Sequence, residues 1–314
     1  MRETFRCDGI INLNKPVGCT SADCVAIVKK KLWQIFSNTQ ESLPNTEIAT
    51  QSSSSTKKLI YPKVGHMGTL DPMGSGVLLI GVGKATRLFD WYLKHDKEYI
   101  ADFVFGVEHD TLDCTGRIER TTTNIPTVSQ VQSVISQFVG NISQIPPQYS
   151  AKKIGGERAY DLARQGKRAT LQPCNVIVHD IKILQQLDDK TFKLKINCSS
   201  GTYIRSLGRD IALALGSLAS MSYINRVRCG QFVLQDSVLL DDIKLSNIVP
   251  LEQSLPKLPR YDLCDSLMDS LLVGKKIYLD NPIDVPHILY CKGLLFGIGC
   301  TLIDGRLSIN TRLL

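Results

Sequence analysis

Length, composition and charge already exclude several classes of protein. The chain has 314 residues, of which 43% are hydrophobic and 21% charged, an ordinary globular composition with room for about two domains. No apolar run reaches the roughly 18 residues of a membrane span. The start, MRETFRCDGIINLNKP, has no signal-peptide core, so we expect a cytoplasmic protein without a membrane partner. The net charge of +7 lies entirely in residues 1–250 and favours a polyanionic partner such as RNA.

The cysteine pattern argues against a metal site. The ten cysteines are scattered, with no CxxC pair and no histidine cluster near them. Zinc ligation needs paired ligands at short spacing, so we expect no metal and reduced, mostly buried thiols.

The first 60 residues predict a strand, a helix and an insertion. GIINLNKPVG is typical of a strand that ends in a turn. A helix follows, with Ser21 as its N-cap and with Val25, Val28 and Leu32 on one face. Residues 36–58 are rich in Ser, Thr and Asn and cannot bury enough apolar surface to order themselves. We interpret them as a flexible insertion.

The rest of the chain predicts strands and helices in irregular order. Residues 97–106 alternate as a strand should, and 126–140 have the spacing of a helix that ends at Gly140. CNVIVHDIKIL and FKLKINC are predicted strands, and SSGTYIRSLGRDIALALG is a predicted turn and helix. Asp304-Gly305 marks a hairpin. This order favours an α+β fold with a mixed or antiparallel sheet, followed by a small β-rich domain.

One carboxylate, Asp71, lies in the Gly-rich stretch KVGHMGTLDPMGSGVLLIGVGKATRL of residues 63–88. Taken alone, Asp-Pro is a common turn starter, so a turn-forming role is the simplest interpretation. The glycines, however, let the backbone approach a ligand. A single carboxylate on a rigid platform can act as a nucleophile, whereas a glycosidase would normally need two acidic groups. These residues alone leave both interpretations open.

Six segments, in order along the chain, resemble the motifs of the TruB family of tRNA pseudouridine synthases. Together they cover most of residues 8–235, and six motifs in register are far more specific than any one of them. The segments are INLNKPVGCTS (11–21), VGHMGTLDPMGSGVLLIGVGKATRL (64–88), KEYIADFVFGVEHDTLDCTG (97–116), QIPPQYSAKKIGGERAYDLARQG (144–166), CSSGTYIRSLGRDIALALG (198–216) and YINRVRCGQF (223–232).

The resemblance implies a pseudouridine synthase fold, which is α+β with a mixed, largely antiparallel central sheet. It implies a catalytic domain over residues 1–250, with the insertion at about 36–58 and a thumb-like segment at about 144–168. Residues 258–314 resemble, more loosely, the small PUA-like β domain that many relatives carry.

The resemblance also implies three catalytic residues. Asp71 takes the place of the nucleophile in a reaction that detaches uracil from its ribose and reattaches it through carbon 5. Tyr99 corresponds to a tyrosine that stacks on the uracil and takes part in proton transfer. Arg205 corresponds to the arginine that pairs with the aspartate. The reaction is an isomerisation and needs no cofactor or metal, and attack at C1′, attack at C6 and a glycal route all stay open.

Three further residues match the family's substrate pocket. Tyr203 and Ile224 match residues that line the uridine site, although relatives usually have leucine at the position of Ile224. His66 matches a histidine that stacks near the flipped nucleotide. We expect these three to bind the substrate rather than to transfer protons.

Four more residues match regions around the pocket. Lys15 and Pro16 match the support of the active-site floor. Lys152 and Lys153 lie in the thumb-like segment and are candidate contacts to RNA phosphates, although a pair of lysines is often simply solvated.

The function implied is the formation of pseudouridine in the TΨC loop of tRNA, at the position conventionally numbered 55. The nucleotide must be flipped out of the RNA to be reached. Two alternatives are a guide-RNA-dependent, dyskerin-type synthase and a tRNA-folding chaperone without required catalysis. The thumb-like segment favours the stand-alone enzyme, so we expect tRNA as the partner, no obligatory protein partner and a monomer.

Overall fold

A computed structural model describes residues 7–41, 62–150, 152–167 and 169–314. The helices, in chain order, are α1 Ser21–Glu41, α2 Phe89–Leu93, α3 Val128–Ile135, α4 Ala159–Arg164, α5 Ile204–Ala214 and α6 Met268–Leu272. The strands are β1 Gly9–Lys15, β2 Val64–His66, β3 Ser75–Val82, β4 Lys97–Phe105, β5 Val107–His109, β6 Ile118–Thr121, β7 Gly140–Gln144, β8 Lys153–Ile154, β9 Glu157–Arg158, β10 Cys174–Gln186, β11 Thr191–Cys198, β12 Ala219–Cys229, β13 Phe232–Val233, β14 Val238–Leu239, β15 Ile248–Pro250, β16 Arg260–Leu263, β17 His287–Cys291, β18 Leu294–Thr301 and β19 Leu307–Arg312.

A large mixed sheet organises the first 250 residues. Its main order is β14-β1-β3-β12-β4-β11-β10-β7, and β2, β13 and β15 pair with β3, β12 and β1. Strands β1 and β14 are parallel, as are β3 and β12, and the other pairs of this sheet are antiparallel. The predicted mixed, largely antiparallel central sheet is therefore confirmed. Strand β12 lies between β3 and β4, so one strand separates the glycine-rich stretch from the strand of Tyr99.

Helices α3 and α5 cover one face of this sheet. Phe103 of β4 packs in a buried apolar cluster with Val131 of α3 and Leu207 of α5. A Cβ atom at Gly208 would lie 2.1 Å from the Phe103 ring, so glycine is what lets α5 approach β4 this closely. That close approach brings the first turn of α5, with Arg205, down onto the sheet.

Helix α1 differs from the prediction at both ends. Its apolar face continues through Phe36, which is 3% exposed, and the helix ends at Glu41, so the predicted start of the insertion at residue 36 is wrong. The remainder of that predicted insertion, from residue 42 to 58, lies outside the described residues. The N-cap is Thr20 rather than Ser21, because Thr20 Oγ1 accepts from the Asp23 amide at 3.0 Å while the Asp23 carboxylate accepts from the Thr20 amide at 2.9 Å.

The end of α3 also differs from the prediction. The helix stops at Ile135 and continues as a 3₁₀ turn over Ser136–Phe138. Gly140, predicted as its C-cap, instead begins β7 with a φ of 100°. The strands predicted at 97–106 and in CNVIVHDIKIL and FKLKINC, and the helix predicted after residue 200, are confirmed.

A second, four-stranded sheet has the order β16-β17-β18-β19 and its own buried cluster, which includes Leu289 and Phe296. The predicted hairpin is present, and its turn closes with a bond from the Gly305 amide to the Leu302 carbonyl at 2.9 Å. The predicted β-rich C-terminal region is therefore confirmed. The sheet packs on the larger one through Ile298, and Trp91 Nε1 donates to Thr311 Oγ1 at 3.1 Å. The exact boundaries of 1–250 and 258–314 as domains stay a prediction.

Two predictions from composition can be compared with the fold. Within the described ranges no helix is long and apolar enough to cross a membrane. All ten cysteines are free, but only Cys24, Cys198, Cys229 and Cys291 are buried, so the expectation of mostly buried thiols is wrong.

Candidate active site

A cavity of about 430 Å³ opens where the glycine-rich loop, β4, β12 and the start of α5 meet. It brings together five of the predicted site residues from different parts of the sequence, namely Asp71, Tyr99, Tyr203, Ile224 and Arg205. Its volume is in the range of small-molecule binding sites. The thumb-like segment supplies part of the wall through Tyr149, Ser150 and Tyr160.

The loop that carries Asp71 is fixed on both sides of this residue. Before it, both backbone groups of Leu70 bond to the buried Ser21 hydroxyl, at 2.9 and 3.0 Å. After it, the Pro72 carbonyl accepts from the Gly18 amide at 2.8 Å and from Lys15 Nζ at 3.3 Å. The Asp71 carbonyl also closes a turn with the Gly74 amide at 2.9 Å. Asp71 is thus a turn residue, as its Asp-Pro sequence indicates, and its side chain faces the cavity as well.

Arg205 holds the Asp71 carboxylate in place. Its Nη2 lies 3.0 Å from Asp71 Oδ2, and its Nη1 lies 3.3 Å from Asp113 Oδ2. The guanidinium also donates to the carbonyls of Thr111, at 2.8 Å, and Tyr149, at 2.9 Å. The Arg205 side chain is 10% exposed and that of Asp71 38%, so a fixed cation supports a carboxylate that a ligand can reach.

Tyr99 lies on β4 directly opposite Arg226 of β12. It is 7% exposed, and this burial raises the pKa of Tyr99 to about 12. The hydroxyl therefore keeps its proton at neutral pH and can donate a hydrogen bond into the cavity.

Tyr203 and Ile224 form further parts of the cavity wall. Tyr203 precedes α5, and Gln144 fixes its backbone by accepting from its amide at 2.8 Å and donating to its carbonyl at 3.1 Å. Burial raises the pKa of Tyr203, so it too stays protonated at neutral pH. Ile224 is 5% exposed and adds an apolar surface.

His66 does not line the cavity, although sequence comparison assigned it to the substrate. It lies on β2, where it pairs with Ile80 of β3. Burial, and secondarily the charge of Arg226, lowers the pKa of His66, so its ring is neutral at pH 7.

Of the remaining predicted residues, Lys15, Pro16 and Lys152 do not line the cavity. Lys15 is fully buried beneath the loop, and its ammonium donates to the carbonyls of Pro16, Cys19 and Pro72 at 2.8, 2.7 and 3.3 Å. This arrangement fits the predicted support of the floor. Lys152 precedes β8 and is half-buried, while the side chain of Lys153 lies outside the described part.

Two residues that sequence reasoning did not single out complete the site. Arg226 is 2% exposed and donates to the carbonyls of Val77, Thr69 and Gly68 at 2.7, 3.2 and 3.2 Å, which ties β12 to the loop of Asp71. Its signal in the sequence is a charge two residues after Ile224, on the same face of an apolar strand. Asp113 follows no periodic pattern, and only the folded loop brings it to Arg205.

The chemistry available here is that of one carboxylate among protonated tyrosines and fixed cations. Of the described residues that line the cavity, Asp71 alone carries a carboxylate. Across the described ranges, no three His, Cys, Asp or Glu side chains are grouped so that they could hold a metal ion. The arrangement suits nucleophilic catalysis by Asp71.

Comparison with known proteins gives a consistent result. The model of the TruB family pseudouridylate synthase N-terminal domain matches residues 56–204. The tRNA pseudouridine synthase B of Borrelia garinii subsp. bavariensis is 41% identical over 219 residues, which are 69% of this chain and 72% of the relative. That of Caldanaerobacter subterraneus subsp. tengcongensis is 33% identical over 301 residues, 93% and 94% of the two chains.

Solved structures show the same fold. A chain in the crystal structure of a Cbf5-Nop10-Gar1 complex superposes with a TM-score of 0.65 at 24% identity, over 98% of this chain and 85% of that one. This likeness shows a shared fold. The family model and the identities of the two relatives show that the chain belongs to the TruB family of pseudouridylate synthases.

Proposed function

We propose that this pseudouridine synthase isomerises the uridine at position 55, in the TΨC loop of tRNA, and that it acts in the cytoplasm as a monomer without a guide RNA or protein partner. The observation that carries the proposal is the pair of Asp71 and Arg205, 3.0 Å apart, at a cavity that can receive a flipped-out nucleotide. The name tRNA pseudouridine synthase B of the relatives supports tRNA as the substrate.

Asp71 acts as the nucleophile in this proposal. Its carboxylate attacks the flipped nucleotide, at C1′ of the sugar or at C6 of the base, while Arg205 keeps it in position. The N1–C1′ bond then breaks, the uracil rotates, and C5 bonds to C1′ while the bond from Asp71 to C1′ or C6 breaks and releases the carboxylate. C5 loses its proton and N1 gains one, so the product is an isomer of the substrate. A single carboxylate among the described residues of the cavity wall fits this isomerisation better than glycoside hydrolysis, which normally uses two.

Tyr99 stacks on the uracil and donates a hydrogen bond from its hydroxyl. Because burial raises its pKa to about 12, Tyr99 is a poor base at neutral pH. We therefore assign it positioning of the base rather than removal of the C5 proton. Tyr203 and Ile224 enclose the base from other directions.

The function is tested by incubating the purified protein alone with an unmodified tRNA transcript and mapping pseudouridine. Product at the T-loop uridine without added RNA or protein supports the proposal. Product only after a guide RNA and partner proteins are added indicates the dyskerin-type alternative. Tight tRNA binding without any product indicates the chaperone.

The nucleophile is tested with Asp71→Asn. This change keeps the shape of the side chain but removes its charge, so we expect single-turnover pseudouridine formation to fall by at least about 10³-fold while the Kd for tRNA changes less than about threefold. Asp241→Asn is a matched control, because the Asp241 side chain is 99% exposed and pairs with Lys31. Turnover by Asp71→Asn at more than a few per cent of the wild-type rate would contradict the assignment.

A further inference from the structure

A second buried cation, Lys97, lines the catalytic cavity, and the mechanism above gives it no task. Lys97 begins β4 two residues before Tyr99, so the two side chains lie on the same face of the strand. It is 7% exposed, the same fraction as Tyr99. Its side chain therefore lies in the wall of the site rather than on the surface.

The hydrogen bonds of Lys97 leave one donor unused. Its Nζ donates to the carbonyls of Leu93, at 2.9 Å, and His95, at 2.5 Å. An ammonium carries three N–H donors, and the described part of the chain provides no third acceptor for Lys97. Lys15 differs, since its three donors have three carbonyl acceptors and it does not line the cavity.

The ammonium of Lys97 also lacks an ion-pair partner among the described residues. Across the described residues, no carboxylate lies within ion-pair distance of its Nζ, and burying an unpaired ammonium is unfavourable. Burial is the main cause that lowers the pKa of Lys97, and the charge of Arg226 lowers it further, while Cys229, Cys198 and Asp96 act in the opposite direction. An anionic group in the cavity would offset both the cost of burying the ammonium and its repulsion by Arg226.

The other cations of the cavity, Arg205 and Arg226, already bond to several protein groups. Arg205 contacts two carboxylates and two carbonyls, and the guanidinium of Arg226 donates to three carbonyls. Both arms of each guanidinium are thus held by protein groups, whereas the single ammonium of Lys97 has one donor left for a ligand.

We propose that Lys97 is a further catalytic residue whose free N–H donates to a carbonyl oxygen of the uracil and stabilises negative charge on the ring. The inference rests on the proposed function, because it requires uridine in the cavity. If Asp71 attacks C1′, or a glycal forms, the N1–C1′ bond breaks and its electron pair stays on the uracil, delocalised onto the carbonyl oxygens. If Asp71 adds to C6, the electron pair of the C5–C6 double bond moves to O4. In each route Lys97 keeps its proton and stabilises charge that is absent from the bound uridine.

The experiment compares Lys97→Met and Lys97→Arg with the wild type on an unmodified tRNA transcript. Single-turnover rate constants at saturating enzyme, Kd for tRNA and melting temperatures are measured separately. Losing one charge-stabilising donor costs about 10²–10³-fold in rate, so we expect that loss for Lys97→Met, with a Kd within about threefold of the wild-type value. Lys97→Arg keeps a cation, and we expect it to be at least about tenfold faster than Lys97→Met.

Lys195→Met is the matched control. Lys195 lies on the adjacent strand β11, outside the cavity, where its Nζ is 3.1 Å from Glu98 and its side chain is 40% exposed. We expect this variant to keep the wild-type rate, because it also replaces a sheet lysine by methionine but leaves the cavity intact.

Two results would overturn the role of Lys97. One is a Lys97→Met rate within threefold of the wild type. The other is equal loss of rate in Lys97→Met and Lys97→Arg together with a lowered melting temperature, since Lys97 would then only anchor the Leu93–His95 backbone. A wild-type protein that makes no pseudouridine in tRNA overturns the proposed function as well, whereas an active wild type with an equally active Lys97→Met overturns this inference alone.

Discussion

Buried cations around the cavity hold the backbone in place by donating hydrogen bonds to its carbonyl oxygens. Lys15 holds the carbonyl of Pro72, and Arg226 holds those of Gly68 and Thr69, so the loop is fixed on both sides of Asp71. Charge-assisted bonds of this kind are stronger than neutral ones, which suits a loop whose glycines give it little side-chain packing of its own. The position of the carboxylate thus depends on buried positive charges that do not themselves react.

The raised pKa of Tyr99 predicts how the stability of the protein changes with pH. An unfolded tyrosine ionises near pH 10, whereas burial raises the pKa of Tyr99 to about 12. The contribution of this group to stability is therefore fully present below pH 10 and is lost as the pH rises towards 12. Tyr99→Phe removes this contribution, so we expect the wild type to lose about 1 kcal/mol more stability than the variant between pH 9.5 and 11.

Urea unfolding at the two pH values measures the difference. Both proteins keep Tyr92, whose pKa burial also raises to about 12, so its contribution cancels in the comparison. An equal loss of stability in both proteins would mean that Tyr99 ionises as easily in the folded state as in the unfolded chain.

At the scale of elements, the start of α1 serves both the helix and the catalytic loop. Thr20 caps the helix, and the next side chain, Ser21, satisfies both backbone groups of Leu70 beside Asp71. Adjacent hydroxyls therefore stabilise different structures. A substitution at each position can separate their effects.

Ser21→Ala should reduce both stability and catalysis, whereas Thr20→Ala should reduce stability alone. The first change leaves two buried backbone groups of Leu70 unsatisfied, at about 1–3 kcal/mol, and frees the loop of Asp71. The second loses an N-cap, at about 1 kcal/mol, away from the cavity. Single-turnover rates below the melting transition, together with urea unfolding, measure both quantities. Equal rates for the two variants would show that Ser21 does not position the loop.

For the molecule as a whole, sequence patterns predicted the elements better than their contacts. The alternation of β4 placed Tyr99, Ala101, Phe103 and Phe105 on one buried face, and the structure agrees. The predicted start of the insertion at residue 36 was wrong because the residues after Phe36 are polar. Phe36 nevertheless continues the apolar face of α1, and the helix ends at Glu41. Local patterns hold no information on which distant groups meet.

The candidate site shows the same division. Asp71, Tyr99 and Arg205 were found by motif, and they meet in one cavity. Arg226 and Lys97 were passed over because a charged residue in a strand is usually on the exposed face. Contacts made by the folded chain bury them: Arg226 lies against the loop of Asp71, and Lys97 against the Leu93–His95 segment.

The two sheets pack against each other through Ile298, and a substitution there tests whether they unfold together. This residue of β18 is fully buried in a cluster with Ile10 and Leu79 of the large sheet, so Ile298→Ala should cost about 2–5 kcal/mol. Trp33 lies on α1, which packs on the large sheet, so its fluorescence reports unfolding of that sheet. The measurement uses a Trp91→Phe background, because Trp91 bonds to Thr311 of the small sheet. If the sheets unfold together, the tryptophan transition in urea shifts by the whole cost, whereas the control Ile303→Ala, at an exposed hairpin turn, stays within about 0.5 kcal/mol. An unshifted tryptophan transition would show that the C-terminal sheet unfolds independently, and that the catalytic sheet gains no stability from it.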